Sequence, residues 1–319
     1  MGEYDQILLI PKSSSVRSRL EIDTSISVGG LNLGLPLLVS PMDSFYSTVE
    51  QGRGFLSLLS ESGILGFVHR FWKKQDRLEL IYRLSEQQLN FGVAVGLLEN
   101  DELEIFKAAS NSWAAIICID VANGHNEWTL ESVRRAQSEK KNSRQLIMAG
   151  NVASFVGYQD MARAGADLVR VGIGTGAACT TRQMTGVGYP QVALLSKIDQ
   201  HRRMEKIGAK VVADGGIKYP GDILKALALG ADVVMAGWLL SGAAESGNGT
   251  YRGLASRQVQ EDHYGFVRSV EGIEIAARSQ GEPIKDIVAG IKSNLQSGMA
   301  YIGASKIEDI HRVARFIDA

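Results

Sequence analysis

Apolar residues recur along this chain in runs of about five, each closing on a small or polar residue. The runs are LPLLVS (Leu35–Ser40), GILGFVH (Gly63–His69), FGVAVG (Phe91–Gly96) and AAIICID (Ala114–Asp120), then QLIMAG (Gln145–Gly150), DLVRVG (Asp167–Gly172), AKVVAD (Ala209–Asp214) and ADVVMAG (Ala231–Gly237). Such continuous runs, rich in Val, Ile and Leu, read as parallel strands covered on both faces. Between them, segments such as LEIFKAASNS and GDILKALALG space their apolar residues as a helix does. Eight strand–helix units predict an α/β fold of the (β/α)8 TIM-barrel type, with a doubly wound open sheet as the rival. An internal echo agrees: MAGNVAS…ARAGADLVRVG is followed one repeat later by VADGGIKYP…ALALGADVVMAG. No linker or low-complexity tract divides the chain, so residues 1–319 are expected to be a single barrel domain. After the eighth run a Gly/Ser-rich loop and a long polar excursion precede IKDIVAGIKSNL, enough for an active-site flap.

Composition narrows the setting. The net charge is −1 over 319 residues, with 45 % hydrophobic and 22 % charged positions. That balance speaks against a nucleic-acid groove or a membrane-seeking surface. MGEYDQILLI has no basic segment before an apolar core, and no apolar run approaches the roughly 20 residues of a membrane span. Two cysteines, Cys118 and Cys179, form no disulfide framework, and a reducing cytoplasm is the expected location.

Barrel chemistry sits at the C-terminal strand ends. There the chain places SPMDS, DVANGH, AGN, VGIGTGAACTTRQMTGVGYPQ, DGG and GWLLSG. Gly215, Gly216 and Gly237 leave backbone amides open to an anion after strands seven and eight, where barrels commonly bind phosphate. Asp214 could accept from a ribose diol. Cys118 reads as a small buried hydrophobe inside an apolar run. Cys179 instead sits beside Thr180, Thr181 and Arg182, where hydroxyls, a cation and free amides can stabilise a thiolate. Carbonyls of Gly174, Gly176 and Cys179 could ring a monovalent cation. His69 and His125 end strands and are open to catalytic or structural roles; His201, His263 and His311 read as surface residues. Asp43 of SPMDS either orients groups in the pocket or is a satisfied loop carboxylate. Trp72 reads as aromatic packing, with stacking on an adenine as the alternative. Arg17 and Arg19 are solvated loop charges or contacts to a neighbouring subunit. No HxxxH, HxH or CxxC spacing suggests zinc.

Taken in order, YDQILLIPKSSSVRSRLEID, DVANGH, MAGNV, GIGTGAACTTRQMTGVGYPQ, ADGGIKYPGDILKALALGAD and GIKSNLQSGMAYIGASKI resemble the IMP dehydrogenase/GMP reductase family, from about Tyr4 to about Ile310. CTTR followed by TGVGYPQ is closer to the reductase branch. His69 to Phe91 leaves no room for the regulatory (CBS) domain most dehydrogenases insert. The stretch Tyr251 to Glu271 is too short for the dehydrogenase flap and holds no Arg-Tyr pair. The resemblance implies conversion of GMP and NADPH to IMP, ammonia and NADP+. It implies Cys179 as the nucleophile at C2 of the purine, with Thr181 and Glu271 as the pair that protonates the leaving amine. It implies nucleotide binding by Asp214, Gly215, Gly216, Gly237, Trp238, Gly253, Leu254, Ala255, Ser256 and Arg268, and cofactor binding by Arg70, Asp120, Val121, Ala122 and Gly174. Asn151 would help shape the pocket. It further implies NADPH as cofactor and a homotetramer, with K+ as the cation the Gly174, Gly176 and Cys179 carbonyls could hold.

The sequence departs from the family at Thr175 (usually Pro), Ala177 (usually Ser), Trp238 (usually Gly) and Leu254-Ala255-Ser256 (Met-Ser-Ser in reductases). These changes cluster round the phosphate and base. They keep open a dGMP-preferring or otherwise altered reductase, an NAD-using IMP dehydrogenase and a purine-nucleotide sensor without turnover.

Overall fold

The computed structural model describes residues 2–246, 249–279 and 281–319. Eight parallel strands share one sheet: Leu37–Val39, Phe67–Val68, Phe91–Val95, Ala114–Asp120, Leu146–Val152, Leu168–Val171, Lys210–Asp214 and Val233–Ala236. They are numbered one to eight in that order. Each pairs with its successor from two to eight, and eight pairs with one. The remaining gap is spanned where Leu38 lies beside Leu65, the amide of Val39 donating to the Leu65 carbonyl at 2.8 Å. The result is the nearly closed barrel that the eight runs predicted.

Alternation along the strands decides what faces inward, because successive side chains point to opposite faces. In strand four, Ile116 and Cys118 join the core inside the barrel, while Ile117 and Ile119 pack outward under the helices. Leu168 in strand six and Val212 in strand seven also face inward. Two residues further on, the same face carries Asp120, Arg170 and Asp214. Ordinary pleating thus places three charges inside the C-terminal mouth.

The other end is closed by a hairpin, Ile26–Val28 with Leu31–Leu33, whose Val28, Leu31 and Leu33 complete the inner core. Its turn is Gly29-Gly30, both at positive φ (57° and 89°), the backbone a two-residue hairpin loop requires.

Helices follow the strands on the outside, from Val49–Glu61 after strand one to Ile284–Ile302 after strand eight. Before that last helix the chain builds the excursion expected as a flap. Thr250–Arg252 pairs antiparallel with Glu274–Ala276, and the helix Arg257–Tyr264 lies between them. Ser256 caps this helix, its side chain accepting from the Val259 amide. Among the described residues no helix is long and apolar enough to cross a membrane.

Candidate active site

A cavity of about 570 Å³ opens at the C-terminal mouth, between the strand ends and the flap. Its floor is the charged layer set by strand alternation. Arg170 donates to Asp214 Oδ2 from Nε at 3.1 Å and from Nη2 at 2.8 Å, and its Nη1 donates to Asp120 Oδ1. Asn151 Nδ2 donates to the same Asp214 oxygen at 2.7 Å and to the Gly172 carbonyl at 2.8 Å. Burial works against the Arg170 charge, but the carboxylates of Asp214 and Asp120 outweigh it and hold the guanidinium well above its ordinary pKa. Beneath it Cys118 is fully buried, and burial pushes its thiol up to about 12. Of the two cysteines, Cys118 is therefore the inert one.

One wall is the loop after strand six. Gly172 sits at φ 140°, where a Cβ would meet the Asp214 carbonyl oxygen at 2.1 Å, so only glycine lets this loop cross strand seven. Thr175 donates its hydroxyl to that carbonyl at 3.2 Å. Cys179 is partly exposed, and its Sγ stands 3.3 Å from the Thr181 hydroxyl. Arg182 does not serve the sulfur. Its guanidinium donates to the Glu3 carboxylate and the Tyr189 carbonyl, clamping the loop to the N-terminal segment.

The opposite wall is the flap, joined to the cysteine loop through backbone. The Thr180 amide donates to the Glu271 carbonyl at 2.8 Å, and the Ile273 amide to the Ala178 carbonyl at 2.9 Å. The Glu271 amide donates in turn to the Ala255 carbonyl at 3.0 Å. Gly272 is wedged in this ladder, where a Cβ would lie 3.0 Å from the Ser256 nitrogen. The ladder sets Glu271 on the cavity wall, its carboxylate accepting from the Ser269 hydroxyl at 3.0 Å.

Cys179, Thr181, Glu271, Asp214, Gly215, Gly253, Leu254, Ala255, Arg268, Arg70, Asp120, Val121, Ala122, Gly174 and Gly176 all line this one cavity. Gly216, Gly237, Trp238 and Ser256 do not. Gly216 lies over the Tyr4 ring. At Gly237 a Cβ would come 2.7 Å from the Tyr251 hydroxyl and 2.8 Å from Met42 Sδ. Trp238 packs edge-on against Tyr251, ring centroids 5.5 Å apart, behind the wall.

Several cavity-lining residues escaped the sequence reading, Arg170, Tyr251 and Met42 among them. Arg170 was hidden inside an apolar run, where a lone cation in a buried strand was the available signal. Tyr251 lines the cavity without carrying a motif, and SPMDS pointed to Asp43 rather than to its Met42. Burial pushes the Tyr251 hydroxyl up, so it stays protonated. The surface reading of His263 is corrected: its Nε2 lies 2.7 Å from Asp43, because the flap helix turns it inward. His201 stacks on Phe155 at 4.6 Å. His125 contacts Asp160 at 3.0 Å, outside the cavity lining. Trp72 packs against Tyr46 and His69. Arg17 and Arg19 line a different cavity, with Ser293, Gln296 and Ala300.

Residues 2–319 match the family model described as the IMP dehydrogenase / GMP reductase domain. The chain is 32 % identical to a GMP reductase of Onchocerca volvulus, covering 99 % of this chain and 90 % of that protein. It is 31 % identical to a GMP reductase of Vibrio cholerae (98 % and 93 % covered). It is 30 % identical to GMP reductase 1 of Homo sapiens (99 % and 94 %).

Proposed function

The chain belongs to the IMP dehydrogenase/GMP reductase family of NAD(P)-dependent purine-nucleotide oxidoreductases, and we propose that within it the protein is a GMP reductase, converting GMP to IMP and ammonia with NADPH. The observation that carries this reading is Cys179 Sγ, 3.3 Å from the Thr181 hydroxyl, in the cavity that Glu271 also lines.

Cys179 supplies the nucleophile. Its thiolate attacks C2 of the purine, an electron-poor amidine-like carbon, forming a C–S bond. The 2-amino group leaves as ammonia once protonated, since amide ion is no leaving group. Glu271 supplies that proton through Thr181, leaving a thioimidate at C2. When bound, the reduced nicotinamide supplies the hydride that C2 takes up. The C–S bond then breaks, the electron pair returns to sulfur, and one solvent proton completes the balance.

The chain's own groups suit that cofactor. Asp120 Oδ2 and Arg70 Nε face each other as a buried ion pair 3.6 Å apart, neither with a hydrogen-bond partner among the described residues. A carboxamide, donor and acceptor together, would satisfy both. Asp214, already oriented by Arg170 and Asn151, is assigned to the ribose. The Gly215, Gly253, Leu254 and Ala255 backbone is assigned to the nucleotide with Arg268. The turn in which the Cys179 amide donates to the Gly176 carbonyl at 3.1 Å offers, with Gly174, oxygen donors for K+. A homotetramer and a cytoplasmic location complete the proposal for residues 1–319.

Nicotinamide absorbance tests it directly. With GMP, NADPH should be consumed and ammonia released in equal amounts. Consumption with dGMP alone would shift the substrate. NADH formed from IMP and NAD would make the protein a dehydrogenase. Tight GMP binding without redox change would make it a sensor.

A further inference from the structure

Outside the reacting groups, one buried carboxylate gathers two side chains of the flap onto the barrel. Asp43 follows strand one, and its side chain is 2 % exposed. Arg252, on the first flap strand, donates to Asp43 Oδ2 from Nη2 at 2.6 Å and to Oδ1 from Nε at 3.3 Å. His263, on the flap helix, places Nε2 2.7 Å from the same Oδ2. The His263 ring also packs against Phe71, from the loop after strand two, with centroids 5.3 Å apart. Two nitrogen-bearing side chains from separate flap elements therefore converge on one carboxylate. Burial tends to raise the Asp43 pKa, but hydrogen bonds from His263 and Arg252 outweigh it and hold the group below the usual carboxylate range.

The contact leads straight to Glu271. Arg252 pairs with Glu274 across the flap hairpin, and the next residue, Gly253, donates to the Ile273 carbonyl at 3.0 Å. From Ile273 the ladder runs to Ala178, and from Glu271 to Thr180. We propose that Asp43 is a positioning residue for the reaction: by clasping Arg252 and His263 it docks the flap and sets Glu271 over Cys179. Asp43 itself is not in the cavity lining; Met42 beside it is. The inference deepens the proposed function and rests on it only for the role of Glu271; the docking itself is independent of turnover.

The test pairs Asp43→Asn with Arg252→Gln, which breaks the same contact from the flap side, together with the 2.7 Å Arg252–Asp262 pair inside the flap, and spares the barrel loop. Three readings are taken: hydrogen exchange at 250–276, the rate at which iodoacetamide alkylates Cys179, and kcat against KM with GMP. Each variant should exchange at least about tenfold faster in 250–276 and alkylate faster, with barrel strands four to seven exchanging as in the parent. Misplacement by an ångström costs about 100-fold, so kcat should fall on that scale while KM changes less. Combining the two substitutions should add little to either one. Exchange and alkylation within twofold of the parent in both variants would overturn the proposal, as would uniform loss of protection across the barrel. If the parent turns over no purine nucleotide, the proposed function fails, while exchange and alkylation still decide whether Asp43 docks the flap.

Discussion

Arg170 and Asp214 are joined by two hydrogen bonds to a single carboxylate oxygen, at 3.1 and 2.8 Å, inside the barrel mouth. Both groups are buried, and Asp120 leans on the same guanidinium. Removing the cation alone leaves two buried carboxylates facing each other across the cavity floor, with Asn151 on Asp214 and Arg70 3.6 Å from Asp120 as the remaining side-chain partners. Arg170→Met should therefore cost on the order of 3–5 kcal/mol of stability. Adding Asp214→Asn and Asp120→Asn should restore part of it. Urea unfolding of the parent, single and triple variants measures both changes.

Replacing Cys179 by Ala removes one sulfur from a half-exposed loop whose backbone bonds are untouched. Turnover should vanish while the nucleotide dissociation constant stays within a few-fold, measured by calorimetry. Turnover near that of the parent would remove covalent chemistry from the mechanism.

In the proposed reaction Cys179 serves both halves, whereas Glu271 serves only the release of ammonia. Glu271→Gln keeps the backbone ladder but cannot give up a proton. Ammonia release from GMP should slow about 100-fold or more. Hydride exchange between IMP and cofactor, which needs no such proton, should slow far less. Equal damage to both half-reactions in rapid-mixing measurements would reject the proton-donor role.

His69 is buried among Tyr46, Phe71 and Trp72, and burial lowers its pKa to about 3. In the unfolded chain the imidazole titrates near 6.5. Between those values the unfolded state binds a proton that the folded state does not. His69 thus takes stability away as pH falls from about 6.5 toward 3 and has no such effect above that window. The slope is at most about 1.4 kcal/mol per pH unit. Denaturation of His69→Gln at stepped pH should lack this contribution and show a flatter acid limb.

The barrel was legible because each strand is a mostly apolar run and each run ends in residues unsuited to a core. The cavity was legible where loops carry unusual residues, as at Cys179 and Gly215. Arg170 was not, since a run broken by one charge still reads as a strand, and only closure of the ring brings it between Asp120 and Asp214. The partnership of Asp43 with His263 spans 220 positions. Neither residue's neighbours hint at the other, so His263 read as a surface group. The flap hairpin was hidden for a related reason: Thr250–Arg252 and Glu274–Ala276 are three residues each and pair across a helix.

Thr250 stands opposite Ala276, so the polypeptide departs for the flap and comes back at one doorway. A replacement segment must meet this junction and also renew the bonds to Asp43, Ala178 and Thr180. Libraries that vary 251–275 while keeping Arg252, His263 and Glu271 would therefore reshape one wall of the cavity, with the eight-stranded scaffold kept as a fixed chassis.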